Sequence, residues 1–367
     1  MSTSVAPASL DVPISSRNSA RVPIVVALVL ALGIASYFWI DSRYPSLLKK
    51  LHSGTAIKTS GVLSFDAKLP VTPDMPVAAR IGRTSVNWIW TNRVGMTFSL
   101  FFGAALLTLL PLIPWRRFQS AAANTAIGAV TGVPLGVCAN CVAPIGQSLY
   151  EGGASATTAM ATMISSPTLN VVVLTMLFAL FPPGVALVRV AAPLILIALM
   201  PWLTRSEQLL PVAACDMPSA GWLLPVSGTL RQYAKNLLKL ALTTIPFMIL
   251  AALLGALVAE LIPAHDIPAH VTFIGIVLVA LAGTFLPVPI AFDVAAAFIL
   301  TSRGVPLPYV VTLLCTLGAF SIYSVLIVGR TMSWKTAARV FAAVMLVGIL
   351  AGVGTAVVQH GRAILRH

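Results

Sequence analysis

The stretch Val133-Pro134-Leu135-Gly136-Val137-Cys138-Ala139-Asn140-Cys141-Val142-Ala143-Pro144 decides how this chain is read. It interrupts an apolar region with two prolines, a glycine, an amide and two thiols. Proline has no N–H to donate and disturbs the helix before it. Within hydrocarbon every backbone polar group must be satisfied internally, so irregular backbone survives only where protein packs around it or it lines a cavity. The apolar piece before it (119–136) is rich in Ala and Gly, and the piece after it (145–150) stops at Glu151-Gly152-Gly153. A span takes about 20 residues, so 119–150 reads as a re-entrant hairpin with Cys138 and Cys141 near its tip.

Composition supports a membrane setting. Of 367 residues, 58% are hydrophobic and 9% charged, with mean hydropathy +0.95. Soluble domains run nearer 45–50% apolar and about 25% charged, which excludes an ordinary globule and a disordered chain. The net charge of +13 sits in loops between apolar runs. That fits anchoring at anionic lipid headgroups rather than nucleic-acid binding, because no basic groove with interleaved aromatics appears. The cysteines Cys138, Cys141, Cys215 and Cys315 lie in or beside apolar segments, so no disulfide framework is expected.

Outward from the hairpin, residues 1–23 read as a tail and 24–40 as a first transmembrane helix ending in the aromatic belt Tyr37-Phe38-Trp39. A signal peptide is the alternative. Residues 41–93 read as a polar extramembrane loop, 94–203 as a first membrane repeat, 204–236 as a polar linker, 237–357 as a second repeat and 358–367 as a tail. In the first repeat a long apolar run, 154–181, is interrupted at Ser165-Ser166-Pro167. In the second, 271–302 is broken by Gly283, Pro287 and Pro289 and carries Asp293, and 307–329 reads as a span. About seven spans and two hairpins result.

The halves repeat in pattern: span, broken hairpin, glycine stop, broken long helix, final span, with Ser165-Ser166-Pro167 falling near Leu317-Gly318-Ala319. Cys141 stands to Gly152 as Asp293 stands to Gly304. Counting crossings places an odd number between equivalent points, so the hairpins enter from opposite faces. The expected fold is an all-α polytopic membrane protein, an inverted-topology repeat with two re-entrant or broken helical hairpins. In such folds the substrate site lies near the midplane. The Lys/Arg balance, with loop 41–93 discounted, favours a cytoplasmic N-terminus.

Three roles are open for the C-x-x-C pair. Thiolates bind soft metals and metalloids, free cysteines often only fill space, and the spacing is also a redox motif. Asp293 is the acid placed inside a candidate membrane segment. An ionised carboxylate there must be protonated, solvated or paired, so it is either a proton- or cation-coupling group or an ion-pair partner of Arg189 or Arg303. Asn140, Asn170, Ser166, Ser321 and Tyr323 cluster at the breaks as candidate substrate contacts, or as helix glue. Pro144, Gly153, Pro167 and Pro289 are the expected helix breaks. Cys315 reads as packing, and His265 and His270 as surface. No nucleotide-binding or catalytic motif is present, so neither ATP nor another cofactor is implied.

The run 134–144, then Gly153-Ala154-Ser155, then Ser165-Ser166-Pro167 with Asn170, resembles the predicted-permease family, which takes in organoarsenical efflux permeases and YraQ-like membrane proteins. The resemblance is continuous over 130–175 and patterned over 280–330. It departs in two places. The family's hairpin tip is C-x-C where this chain has C-x-x-C, and Asp293 stands where other members often place Cys or Ser. The resemblance implies a multi-pass permease of the bacterial inner membrane that moves a small solute, such as a thiophilic metalloid or metal species, outward without ATP. In that reading Cys138 and Cys141 hold the transported species and face Asp293 across a central cavity. A homo-oligomer is left open. The alternatives are a membrane thiol-redox protein and a non-transporting assembly factor or receptor.

Overall fold

The computed structural model describes residues 14–52, 68–113, 120–207, 223–261 and 270–364. Cys215, His265 and Asp266 lie outside them, as do much of the expected loop and linker. Among the described residues the secondary structure is helical throughout, in fourteen α-helices. In order they are α1 (Ile14–Phe38), α2 (Tyr44–His52), α3 (Val77–Leu109), α4 (Ala121–Gly132), α5 (Ala139–Glu151), α6 (Ala156–Thr168), α7 (Val171–Leu180), α8 (Pro183–Leu203), α9 (Leu223–Leu261), α10 (Phe273–Phe285), α11 (Phe292–Ser302), α12 (Leu307–Thr316), α13 (Ile322–Thr331) and α14 (Trp334–Ile364).

Five stretches are long and apolar enough to cross a membrane: Arg21–Leu48, Val77–Leu112, Pro183–Leu203, Val226–Leu261 and Trp334–His360. The pair α6–α7, bent by 42°, adds a sixth when it is counted as one span. Large apolar side chains such as Phe178, Leu187, Trp202, Leu242 and Leu350 stand exposed on these helices. Hydrocarbon, rather than water, is the solvent that tolerates such a surface.

Several expectations are corrected. Residues 77–93, read as loop, form the first part of α3, which starts well before the expected span at 94. Its polar residues there are internalised: Asn87 exchanges hydrogen bonds with the backbone of Leu69, and Ser85 reaches the Ala252 carbonyl on α9. The first helix also extends past residue 40, through a π-helical turn at Trp39–Arg43, into α2. The span expected over 307–329 is two helices, α12 and α13, parted at 317–321, where Gly318 adopts φ +77°. Pro144 breaks nothing: it sits inside α5, where its missing N–H removes only the bond to the Asn140 carbonyl. Pro167 also lies inside a helix, α6, and the break follows it at Leu169.

The halves keep step to the residue. Gly153 and Gly304 both turn with positive φ, and each is followed by the same backbone closure, Ala154 N–H to Leu149 and Val305 N–H to Leu300. Asn170 caps α7 and Ser321 caps α13. Gly132 packs where a Cβ would lie 2.0 Å from Ser165 Oγ, and Gly283 where one would lie 2.2 Å from Thr316 Oγ1. Every one of these correspondences has the same spacing, 151 residues, as 153 to 304 and 170 to 321 show. Glycine at such points lets membrane helices approach backbone to backbone. The same spacing pairs Asp293 with Val142, one residue away from the match to Cys141 expected from the sequence.

Candidate functional site

α5 begins at Cys138, whose thiol accepts the N–H of Cys141 at 3.3 Å and so caps the helix. The same thiol donates to Asn92 Oδ1 of α3 at 3.5 Å. Both cysteines are free and buried. Cys141 presses against the bare face of α3 at Gly95, where a Cβ would meet its sulfur at 2.5 Å. Ser99, one turn further along α3, donates to the Cys141 carbonyl.

Asn140 joins the halves. Its amide donates to the Val288 carbonyl in the second hairpin's break at 3.0 Å, and its oxygen accepts from Ser321, the cap of α13, at 2.8 Å. Ser324, in the first turn of α13, donates to the Ala139 carbonyl at 3.1 Å. The starts of α5 and α13 therefore meet inside the protein, each with the positive end of its dipole toward the junction.

The candidate residues divide by what their polar groups already do. Asn140 and Ser321 form the brace just described. Ser166 accepts from the Val137 amide at 3.4 Å. Asn170 caps α7 through the Val173 N–H and donates to the Ser166 carbonyl at 2.7 Å. These four hold the breaks in shape. Cys138 and Cys141 keep soft-ligand chemistry to offer, and Tyr323 is fully buried in the same core. Gly153 and Pro289 do lie at turns, the latter accepting the Phe292 N–H at 3.3 Å.

Asp293 lies in the first turn of α11 and pairs with Arg189 of α8 at 2.8 Å, both side chains being almost wholly buried. Gly318 approaches so closely that a Cβ there would lie 3.4 Å from the carboxyl carbon. Among the described residues no hydrogen bond or ion pair joins Asp293 to Cys138 or Cys141. Cys315 is buried nearby and free. No group of three or more metal-ligating side chains occurs among the described residues.

Sequence reasoning missed Arg43. It follows the first apolar run and reads as the start of a loop. In the structure the π-helical turn at the end of that run swings it inward, where it is 8% exposed. Its guanidinium lies over Phe38, 4.6 Å from the ring centroid. Neighbouring Trp39 donates to the Pro134 carbonyl at 2.8 Å, which ties the first helix to the hairpin tip. Asn92, Gly95 and Ser99 were hidden for the same reason, at the junction of expected loop and span. A clue existed in each case: a polar or small residue recurring at helical spacing.

The comparisons with known proteins fit this architecture. The chain is 27% identical over 243 residues to the UPF0718 protein YraQ of Escherichia coli (strain K12), which covers 64% of this chain and 69% of that protein. No solved structure matches. A family model described as "Predicted permease" matches residues 102–357. That match takes in both hairpins, both broken helices and the thiol pair, and with more than half of its length matched this chain belongs to the predicted permease family of multi-pass membrane proteins.

Proposed function

We propose that this permease is a secondary transporter of the bacterial inner membrane that exports a small thiophilic solute, a metalloid or metal species, through a site at the junction of two inverted halves. The observation that carries the proposal is the pair of free, buried thiols at the start of α5, braced by Asn140 to the break of the other hairpin. Soft cations and trivalent metalloids bind paired thiolates, and a site between repeats is where alternating access can open to either face. The constant 151-residue correspondence supports a repeat. The crossings between the hairpins, the bent α6–α7 pair, α8 and α9, number three, and an odd number supports inversion.

Asp293 is then the coupling group, acting through Arg189 rather than by facing the thiols. Its release from that partner on protonation would loosen α11 from α8. A redox role for the C-x-x-C pair is less well supported, because both thiols are buried away from any protein disulfide.

Proteoliposomes test the proposal with a trivalent phenylarsenical as cargo and an imposed proton gradient. Wild-type flux should fall at least tenfold in Cys138→Ser and in Cys141→Ser. Asp293→Asn should uncouple flux from the gradient. Unchanged flux in both cysteine variants would refute the site.

A further inference from the structure

Beside the thiol pair lies a buried cation with no counter-charge among the described residues. Three charged side chains are buried among the described residues: Arg43, Arg189 and Asp293. The last two neutralise each other. Arg43 has no carboxylate partner among the described residues, and its Nε donor has no acceptor. It lies next to the thiols: a Cβ on Gly95 would be 2.5 Å from Cys141 Sγ and 4.0 Å from Arg43 Nη2, so those atoms are at most 6.5 Å apart.

Among the described residues a positive charge beside the thiols is therefore unbalanced. A buried charge is costly unless paired. One ionised thiol would balance Arg43 in the empty site. That balance ends when both sulfurs bond to a soft centre, because the resulting dithiolate complex of a trivalent metalloid carries no charge. The guest itself must then bring the negative group.

We propose that Arg43 forms an anion subsite beside the thiol pair, so that the solute taken is a thiophile that also carries an anionic oxygen group. This rests on the thiol-pair reading above and narrows its substrate class. Arg43 lies on the first helix, before the 102–357 region that the family model matches, so the specificity belongs to a segment outside that shared region. The binding step balances without redox chemistry. An arylarsine oxide forms two As–S bonds and loses its As–O bonds, and the oxygen leaves as water with the one remaining thiol proton and one proton taken from solvent.

The test uses the full-length chain carrying Cys215→Ala and Cys315→Ala, purified in lipid nanodiscs. Two probes, neutral phenylarsine oxide and its 4-carboxylate, are titrated for protection of Cys138 and Cys141 against a maleimide, read by mass spectrometry. The carboxylate should half-protect at about one-tenth the concentration of the neutral probe, the scale of one charge-assisted hydrogen bond. Arg43→Gln should bring the ratio to about one, and Arg43→Lys should keep most of it. Equal protection by the two probes in the parent would overturn the anion subsite and leave the thiol-pair reading standing. An unchanged ratio in Arg43→Gln would do the same. Protection by neither probe would overturn the thiol-pair reading and this inference with it. Should Arg43→Gln not fold, the parent ratio decides alone.

Discussion

Two glycines separate space that serves packing from space that serves chemistry. At Gly132 a Cβ would meet Ser165 Oγ at 2.0 Å and the Thr162 carbonyl at 2.8 Å. Backbone cannot move aside cheaply, and overpacking costs about 1–3 kcal/mol. At Gly95 the nearest obstacle is the Cys141 thiol, the movable end of a side chain. Gly132→Ala should therefore lower the thermal midpoint of the purified protein by several degrees. Gly95→Ala should leave that midpoint nearly unchanged and yet abolish arsenical protection of Cys141. Fluorescence-detected size exclusion after heating, beside maleimide labelling, reads both effects.

At the scale of elements, the broken helices depend on their caps. Asn170 and Ser321 occupy corresponding positions at the starts of α7 and α13, and loss of an N-cap costs about 1 kcal/mol. Ser321 carries the further bond to Asn140, and stranding that buried amide oxygen adds about 1–3 kcal/mol. Asn170 likewise carries further bonds to the Ser166 and Pro167 carbonyls, so Ser321→Ala and Asn170→Ala should each destabilise by more than a lost cap, with amide exchange quickening at α13 in the first and at α7 in the second. Elements of this kind were partly legible in the sequence. The first hairpin, the glycine turns at Gly153 and Gly304, and the polar residues gathered at the breaks follow from proline, glycine and length. The break between α12 and α13 was legible only by its match to Ser165-Ser166-Pro167, because Leu317-Gly318-Ala319 carries no proline, and a lone glycine in an apolar run reads as packing. Arg43 was hidden by a π-helical turn. One extra residue in a turn rotates everything beyond it by about 100°, and hydropathy does not register that. Of the predicted site, the thiols stand free, whereas the amides and most hydroxyls turned out to hold the scaffold. Which group is spent on structure depends on partners far away in the chain, such as Val288 for Asn140.

For the whole molecule, the Arg189–Asp293 pair links α8 of the first half to α11 of the second. Removing one partner of a buried pair costs about 3–5 kcal/mol, while replacing both by apolar residues of similar volume is often neutral. Arg189→Gln and Asp293→Asn should each lower stability on that scale. The double variant Arg189→Met with Asp293→Leu should be more stable than either, a coupling that a double-mutant cycle of chemical denaturation measures. If Asp293 also couples transport, the double variant should be folded and uncoupled at once. The fixed 151-residue offset bears on what lengths the chain can tolerate. Inserting or deleting a single amino acid anywhere between Gly132 and Asn170 would throw every matched turn, cap and close approach on its far side out of phase with its counterpart. The joining stretch between Glu207 and Leu223 stands outside both matched blocks and is free of that constraint. Descendants of this architecture should consequently vary in length at that seam and hold their residue count elsewhere.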